Sequence, residues 1–454
     1  MRAIAIRDEA LSWTYGWART SASLFVAGAL ALGLSGTIAG ALGQVGGAPA
    51  VGPTPRIERT EDRTATERDL YKPLGIRVGS FLLFPTLEAD EMLNDNIYAT
   101  SAATGKTASF VQLIKPSLEL RSQWSVHELN LFARGGFGLY SADSSQNFQD
   151  ASVGAAGRFD IQRDSNVYGG ASFTHGHEEL GTPNTVSGST FGPSVFNQVS
   201  ANIGYYQAFQ ALSVRLDGRM DNYTYFNNNQ GPAQGFVPNT DRNRTEFRET
   251  LRIGYEFSPG YQVWTRGGLN QRNYATVPDS FGQNRNSNGW EVLGGVTIDL
   301  GGITQMEAFA GYLQQNYVAG QFSTVSAVAF GLTGYWNPMR ELWVKPFVRR
   351  TVDDSSLSNA ASYLNTAIGV DVTYDMRPNI RVEGHGDYSI VDYTAISSGS
   401  GQYDQYYTLR IGVLYQPTRN FFVGPQYQFV HRTSNQFNSD YNQNLIMLRL
   451  GAQL

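Results

Sequence analysis

The residues with the most chemistry in this chain stand at alternate positions. From Leu212 to Asp221, the ionised Arg215, Asp217, Arg219 and Asp221 alternate with Leu212, Val214, Leu216, Gly218 and Met220. Charged groups spaced in this way can pair, hold water and attract or repel a charged solute. Acid–base or covalent work would also need a positioned proton shuttle or nucleophile. The layout recurs. Arg248 and Arg252 alternate with Phe247, Leu251 and Ile253, in step with Glu246 and Glu256, and Arg158 and Asp160 alternate with Phe159 and Ile161. Arg381, Glu383, His385 and Asp387 run on from Ile380 and Val382, while Arg410 sits between Leu409 and Ile411. Arg121, Arg134, Arg266 and Asp371 are expected on the same charged face. Glu249 falls on the greasy face, an exception explained only by closeness to a membrane rim.

Two histidine arrangements invite a sharper reading. His175-Gly176-His177-Glu178 is the one metal-like constellation, since His residues at i and i+2 of a strand share a face. Their parity follows Val167, Ala171 and Phe173, so they are expected to point outward near the extracellular rim, as lipopolysaccharide contact or simple rim polarity. His385, with Glu383 and Asp387 on its own face, has the makings of a weak base. No nucleophile motif accompanies it, and a ladder of charges explains it more simply. No catalysis, no cofactor and no metal site are expected.

The element that positions such residues is a β-strand, where successive side chains point to opposite faces. A helix would smear these charges around its circumference. Composition agrees: 16% of residues are charged, there are 49 Gly, 25 Tyr and 25 Phe, and no Cys. Low charge with a mean hydropathy of -0.30 suits strands that average a lipid face against a water face. The missing cysteines exclude disulfides, thiolate metal sites and lipidation at cysteine. A net charge of -5 leaves no basic footprint for nucleic acid.

Ser21 to Leu42 is the one long apolar stretch, preceded by Arg2, Arg7 and Arg19 and turning small and Gly-rich, which reads as a secretory signal peptide over 1–50. Cleavage is expected near residue 41 or 50. Residues 51–74 are polar and proline-bearing, an expected periplasmic leader. From 75 to 454 strands alternate with two kinds of connection. Tight turns, as at Arg163-Asp164-Ser165-Asn166, Ser258-Pro259-Gly260 and Gln416-Pro417-Thr418-Arg419-Asn420, alternate with long polar loops at 88–108, 179–193, 226–242, 275–288 and 391–404. Short turns on the periplasmic side and long loops outside are the usual outer-membrane arrangement.

The expected fold is therefore all-β: one transmembrane antiparallel up-and-down β-barrel of about 18 strands, with 16 as the alternative. Closure follows from hydrogen bonding, because a sheet edge in hydrocarbon leaves backbone groups unsatisfied. Aromatics near strand ends, including Tyr205-Tyr206, Tyr223, Tyr225-Phe226, Trp336, Trp343, Tyr406-Tyr407, Phe421-Phe422 and Tyr427, are expected in the interfacial girdles. The loop at 88–108 is the expected inward-folded lid.

Several stretches resemble a known family. They are Val78-Gly79-Ser80-Phe81-Leu82-Leu83-Phe84-Pro85, Asn94-Asp95-Asn96-Ile97-Tyr98, Pro116-Ser117-Leu118-Glu119-Leu120-Arg121-Ser122 and Gly157-Arg158-Phe159-Asp160-Ile161-Gln162-Arg163-Asp164. Asn288-Gly289-Trp290-Glu291-Val292 and Gly311-Tyr312-Leu313-Gln314-Gln315-Asn316-Tyr317 extend the likeness. The chain is similar to the outer-membrane β-barrel porins encoded in capsule and exopolysaccharide biosynthesis clusters of Gram-negative bacteria. It departs at Leu180, where the family often has arginine, and at its aliphatic Leu454 in place of a terminal aromatic.

The resemblance implies an outer-membrane channel for saccharide polymer or small solutes, without catalysis. General solute passage, a structural or adhesive barrel and a rim-site enzyme stand as alternatives. Arg215, Asp217, Arg219, Asp221, Arg248, Arg252, Arg266, Arg381, Glu383, His385, Asp387 and Arg410 are the expected lumen-lining set. Expected partners are outer-membrane lipid and lipopolysaccharide, a saccharide or small solute in the lumen, and the barrel-assembly machinery, with no nucleic acid.

Overall fold

In this computed structural model the described residues are 70–185, 192–226, 236–301, 303–397 and 401–454. The expected signal peptide, and the expected leader up to residue 69, lie outside them. A three-residue strand, β1 (Ile76–Val78), precedes eighteen long ones. The first nine are β2 (Phe81–Asn94), β3 (Ser109–Ser122), β4 (Glu128–Tyr140), β5 (Phe148–Gln162), β6 (Ser165–Glu178), β7 (Ser194–Phe209), β8 (Leu212–Tyr225), β9 (Arg244–Ser258) and β10 (Tyr261–Tyr274). The rest are β11 (Ser287–Asp299), β12 (Thr304–Tyr317), β13 (Val325–Met339), β14 (Leu342–Asp354), β15 (Ala360–Arg377), β16 (Ile380–Ile396), β17 (Tyr403–Thr418), β18 (Phe421–Ser434) and β19 (Tyr441–Gln453).

Every long strand pairs antiparallel with its chain neighbours, and β19 pairs with β2 from Leu445↔Asn94 to Gln453↔Thr86. The sheet closes into an 18-strand barrel. β4, with 13 residues, already exceeds the roughly 9–11 that cross a bilayer, so the wall projects beyond the membrane.

The alternation read from the sequence sets the two faces. In β8 Leu216 is 54% exposed on the outer wall, whereas Arg215 is 6% exposed on the inner one, covered by its neighbours. Gly204 of β7 allows the inner wall to interlock. A Cβ there would lie 2.3 Å from the Tyr168 ring, so only glycine lets Tyr168 reach across from β6 to β8. The tight turns gather at one end and the long loops at the other, the pattern that places the turn end in the periplasm.

Three expectations need correction. The first barrel strand is Phe81–Asn94, so residues 88–94, expected in a loop, continue the wall with Glu88 and Asp90 turned inward. Pro85 is tolerated because the β19 ladder ends beside it: Leu454 N–H donates to the Pro85 carbonyl at 3.1 Å, and β1 takes over beyond. Second, the aromatic doublets cannot all serve as girdle, because adjacent residues face opposite ways. Tyr205, Tyr407 and Phe421 face outward, but Tyr223, Tyr225, Tyr406 and Phe422 are buried on the inner side.

The third concerns His177. Its ring stacks on Phe148 at 3.9 Å and its Nδ1 meets Asp150 at 2.9 Å, so it folds against inner-wall groups, while His175 bonds Asn197. The two rings that parity would align engage different partners.

Glu249 does lie on the outer wall, exposed between Phe247 and Leu251 and in register with Gly218 and Leu269. A carboxylate on this face costs stability in a depth-dependent way, less than the ~2–4 kcal/mol of a midplane arginine or lysine. Glu249→Leu is therefore expected to raise the denaturant midpoint of the refolded barrel. A lowered midpoint would show that the carboxylate has a stabilising role.

Candidate functional site

Three adjacent strands build the basic side of the lumen. Arg215 of β8 is in register with Arg252 of β9, and Arg252 with Arg266 of β10. Arg219 and Arg248 form a second rung, also in register. Like charges placed directly opposite repel, so each row carries interleaved acids. Arg215 Nε lies 2.9 Å from Asp217, Arg219 Nε 2.6 Å from Asp221, Arg252 Nη2 2.9 Å from Glu307 and Arg266 Nη2 3.1 Å from Glu291. Aromatic faces add to this. The Arg252 guanidinium carbon lies 4.0 Å from the Trp264 ring centroid, and that of Arg215 lies 5.3 Å from Tyr168.

The acidic side is built by β15–β17. Asp375 pairs with Arg381 at 2.8 Å, and His385 lies between Asp371 at 2.8 Å and Asp387 at 2.9 Å. Glu383 and Arg410 share this inner parity, with Arg410 in register with His385. Both ring nitrogens of His385 thus meet carboxylates, one of them Asp371 from the neighbouring strand. That is ladder geometry, and it leaves neither nitrogen turned toward a hydroxyl nucleophile. β9 and β16 are seven strands apart in an eighteen-strand ring, so the two sides roughly face one another.

At the loop end, segments from separate parts of the chain meet over the lumen. The outer half of β14 does not follow β13. Their ladder reaches Gly331↔Arg349 and goes no further toward the loop end, although β14 continues to pair with β15 as far as Asp354↔Ser362. Val352 and Leu364, whose parity is that of the lipid face, instead pack on Phe322, Val325 and Ala327, with Leu313 and Tyr317 alongside. The tip of the β14–β15 hairpin is therefore tucked inside the barrel, its outer face lying on the inner face of β12–β13.

Arginines take over the backbone bonds that this tuck forfeits. Arg272 donates to the Val352 carbonyl at 2.7 Å. Arg285, with a side chain 1% exposed, pairs with Asp279 at 2.9 Å and donates to the carbonyls of Ser355, Leu357, Ser358 and Ala360. Asp354 accepts from Tyr274 and lies 3.3 Å from Arg244. Buried polar groups are costly unless partnered, so these contacts are what make a polar hairpin stable in the interior.

The β6–β7 loop completes the cap. Asn184 Nδ2 donates to the Asp354 carbonyl, Tyr393 of β16 donates to the Pro183 carbonyl at 2.6 Å, and Tyr441 of β19 donates to the Gly181 carbonyl at 3.2 Å. β6 and β16 are far apart around the ring, so a contact between them must span the mouth. Glu178 and Arg242 bolt this loop to the next at 2.7 Å, both essentially unexposed. Burial alone would depress the Arg242 charge, but Glu178, Tyr225 and Asp354 beside it hold its pKa well above the ordinary arginine value.

The loop at 95–108 is not the lid expected. It is tied down at the rim: Asp95 accepts from the Asn444 amide and from Lys106, and Tyr98 donates to Asp143. Burial tends to raise the Asp95 pKa, but the Asn444 and Lys106 bonds outweigh it and hold it below the usual value. The tether is thus at full strength above the unfolded carboxylate pKa of about 4 and weakens only as pH falls through the lower folded value. Protection of the amides over 95–108, with exchange corrected for its intrinsic pH dependence, is expected to be constant from neutral pH down to that point and to fall below it. A loss of protection between neutrality and pH of about 5 would contradict this tether.

All twelve expected lumen residues fall on the inner parity, divided between the two sides. The cap residues Arg242, Arg244, Arg272, Arg285 and Asp354 were missed. Alternation from Glu246 carries Arg244 onto the same face, whereas nothing local marks Arg285, which lies in a loop.

No curated protein matches the chain. Among solved structures, OpdO of Pseudomonas aeruginosa is similar at 15% identity with a TM-score of 0.43, covering 83% of this chain and 98% of its own. OpdQ of the same organism is similar at 10% identity with a TM-score of 0.44, covering 83% and 99%. The siderophore receptor PirA, also from Pseudomonas aeruginosa, gives 8%, 0.38, 81% and 80%. The family model described as "Putative beta-barrel porin 2" matches residues 69–454, and the chain belongs to that family of outer-membrane porins.

Proposed function

We propose that this outer-membrane porin passes hydrated anionic solutes, acidic saccharides foremost, through a lumen whose mouth is closed by the tucked hairpin until the hairpin moves. The observation that carries the reading is the in-register row Arg215–Arg252–Arg266 facing an acid-rich wall on β15–β16. A transverse field of this kind orients a charged, hydroxyl-rich molecule along one side of the channel. Trp264 and Tyr168, buried beneath the guanidinium groups, hold Arg252 and Arg215 in place along that side.

The selectivity role falls to Arg215, Asp217, Arg219, Asp221, Arg248, Arg252 and Arg266 on one side and to Arg381, Glu383, His385, Asp387 and Arg410 on the other. Exopolysaccharide is the polymeric form of the same chemistry, and threading it requires the cap to clear the mouth. The outer wall meets lipid and lipopolysaccharide, and the barrel-assembly machinery is the partner that inserts it. No step of this passage calls for bond chemistry.

Planar-bilayer recording of the refolded barrel tests the proposal, with acidic and neutral oligosaccharides of equal length added in turn. Current blocked by the acidic oligosaccharide at lower concentration than the neutral one is expected. Indifference to both would favour a general solute porin. Absence of current, even after the cap is weakened at Arg285, would favour a structural or adhesive barrel.

A further inference from the structure

The outer edge of β13 is a strand edge without its strand. Its ladder with β14 stops at Gly331↔Arg349, so Val325 to Phe330 have no β14 partner. Apolar side chains face outward beside this edge. Val328 is 55% exposed on the outer wall, next to Tyr312 with which it is in register, and Trp290 follows on β11. Unpaired backbone groups do not persist against hydrocarbon, and a free edge is a template for another strand.

We infer that this edge is the docking site for residues Arg350–Ser355 of the same chain, and that their transfer from the tucked position onto β13 opens the channel. The existing register specifies the pairing. Extending Thr333↔Phe347, Leu332↔Val348 and Gly331↔Arg349 without a shift brings Phe330 opposite Arg350, Ala329 opposite Thr351, Val328 opposite Val352 and Ala327 opposite Asp353. Val352 joins Val328 on the lipid face and Thr351 and Asp353 turn into the lumen, while Arg350 shares the outward parity of Phe330 and must carry its guanidinium along the wall toward the polar rim. Arg350 already lies with its guanidinium 5.7 Å from the Phe330 ring, the partner it would have at the first new rung.

The two positions of the hairpin exchange one set of contacts for another. Tucked, it has the bonds of Arg272 and Arg285 and the packing of Val352 and Leu364 on the inner wall. Zipped, it trades those for ladder bonds to β13 and lipid contact for Val352, and leaves the arginines lining an open mouth. The inference rests on the channel reading above for the consequence of opening, though not for the pairing itself.

The native chain has no cysteine, so a crosslink can report the zipped register. In Val328→Cys with Val352→Cys, the two positions lie on opposite faces of the wall while the hairpin is tucked, but directly across the ladder when zipped, within disulfide range. The oxidised double variant is expected to form the bond and to show a conductance raised several-fold, reversed by a reductant. Val328→Cys with Thr351→Cys, of opposite parity, is expected not to bridge.

A folded barrel that fails to bridge at 328 and 352, or bridges without a change of current, overturns the inference. Amide exchange provides a reading without cysteines. In Arg285→Ala, where the tuck is weakened, exchange over Val325–Phe330 is expected to slow relative to wild type; equal or faster exchange overturns the inference. A bridge that raises the current while acidic and neutral sugars behave alike would leave it standing and remove the acidic-solute reading.

Discussion

Arg285→Ala is expected to convert a mostly closed channel into a mostly open one, raising mean conductance of the refolded barrel at least several-fold. Arg285 is bonded at once to Asp279 and to four carbonyls of the hairpin turn. Its removal strands a buried carboxylate and those carbonyls, and removing one partner of a buried pair typically costs about 3–5 kcal/mol. Each 1.4 kcal/mol is about a tenfold shift in a population, so a closed state favoured by a few kcal/mol gives way. Arg285→Lys should rescue poorly, because an ammonium cannot present the planar fork that reaches several acceptors. The barrel itself should survive, since the eighteen strand ladders do not depend on this side chain. Folding is checked by heat-modifiable migration and opening by single-channel recording. Wild-type conductance in a folded Arg285→Ala barrel would show that the cap is not what limits the current.

The second large effect is expected at Arg252→Glu. Arg252 is the middle member of the row, facing Arg215 on one side and Arg266 on the other, with Glu307 and Trp264 as its own contacts. The substitution changes the local charge by two and also releases Glu307. In a salt gradient the reversal potential is expected to change sign, from anion to cation preference, with Arg252→Gln intermediate. Leu251→Gln, one residue away on the lipid face, should leave selectivity as it was. Anion preference in all three would place the selectivity filter elsewhere.

Much of this molecule could be read before its structure, for a specific physical reason. A wall with lipid on one side and water on the other imposes period two, and Leu212–Asp221 carries that signal without a break. The same periodicity puts Arg252, Asp387 and Arg410 on one face, and the even-number rule with the spacing of the turns gives eighteen strands. What alternation cannot convey is which body of material an apolar side chain meets. Val352 and Leu364 have lipid-face parity, yet they pack on the inner wall of β12–β13. Likewise Tyr225 and Tyr406 read as interfacial but lie beneath the cap, since only one member of each aromatic doublet can face the membrane. Length and small-residue content point to residues 88–108 as the lid, whereas the β14–β15 hairpin is what enters the barrel. Length does not decide whether a loop enters a barrel; buried partners do. The short 355–359 connection has Arg285 and Asn184, and the longer 95–108 loop is held at the rim by Asp143 and Asn444.

Everything functional here depends on which face of β8 meets water. Single cysteines at Asp217→Cys and Leu216→Cys, adjacent in a chain with none of its own, decide it. Each is exposed in the bilayer to a charged, membrane-impermeant thiol reagent applied from the turn side during recording. Reaction at 217, with a stepwise fall in current, and none at 216 is the result expected. Reaction at 216 with 217 protected, or equal reaction at both, would mean that the ionised face does not line a water-filled channel.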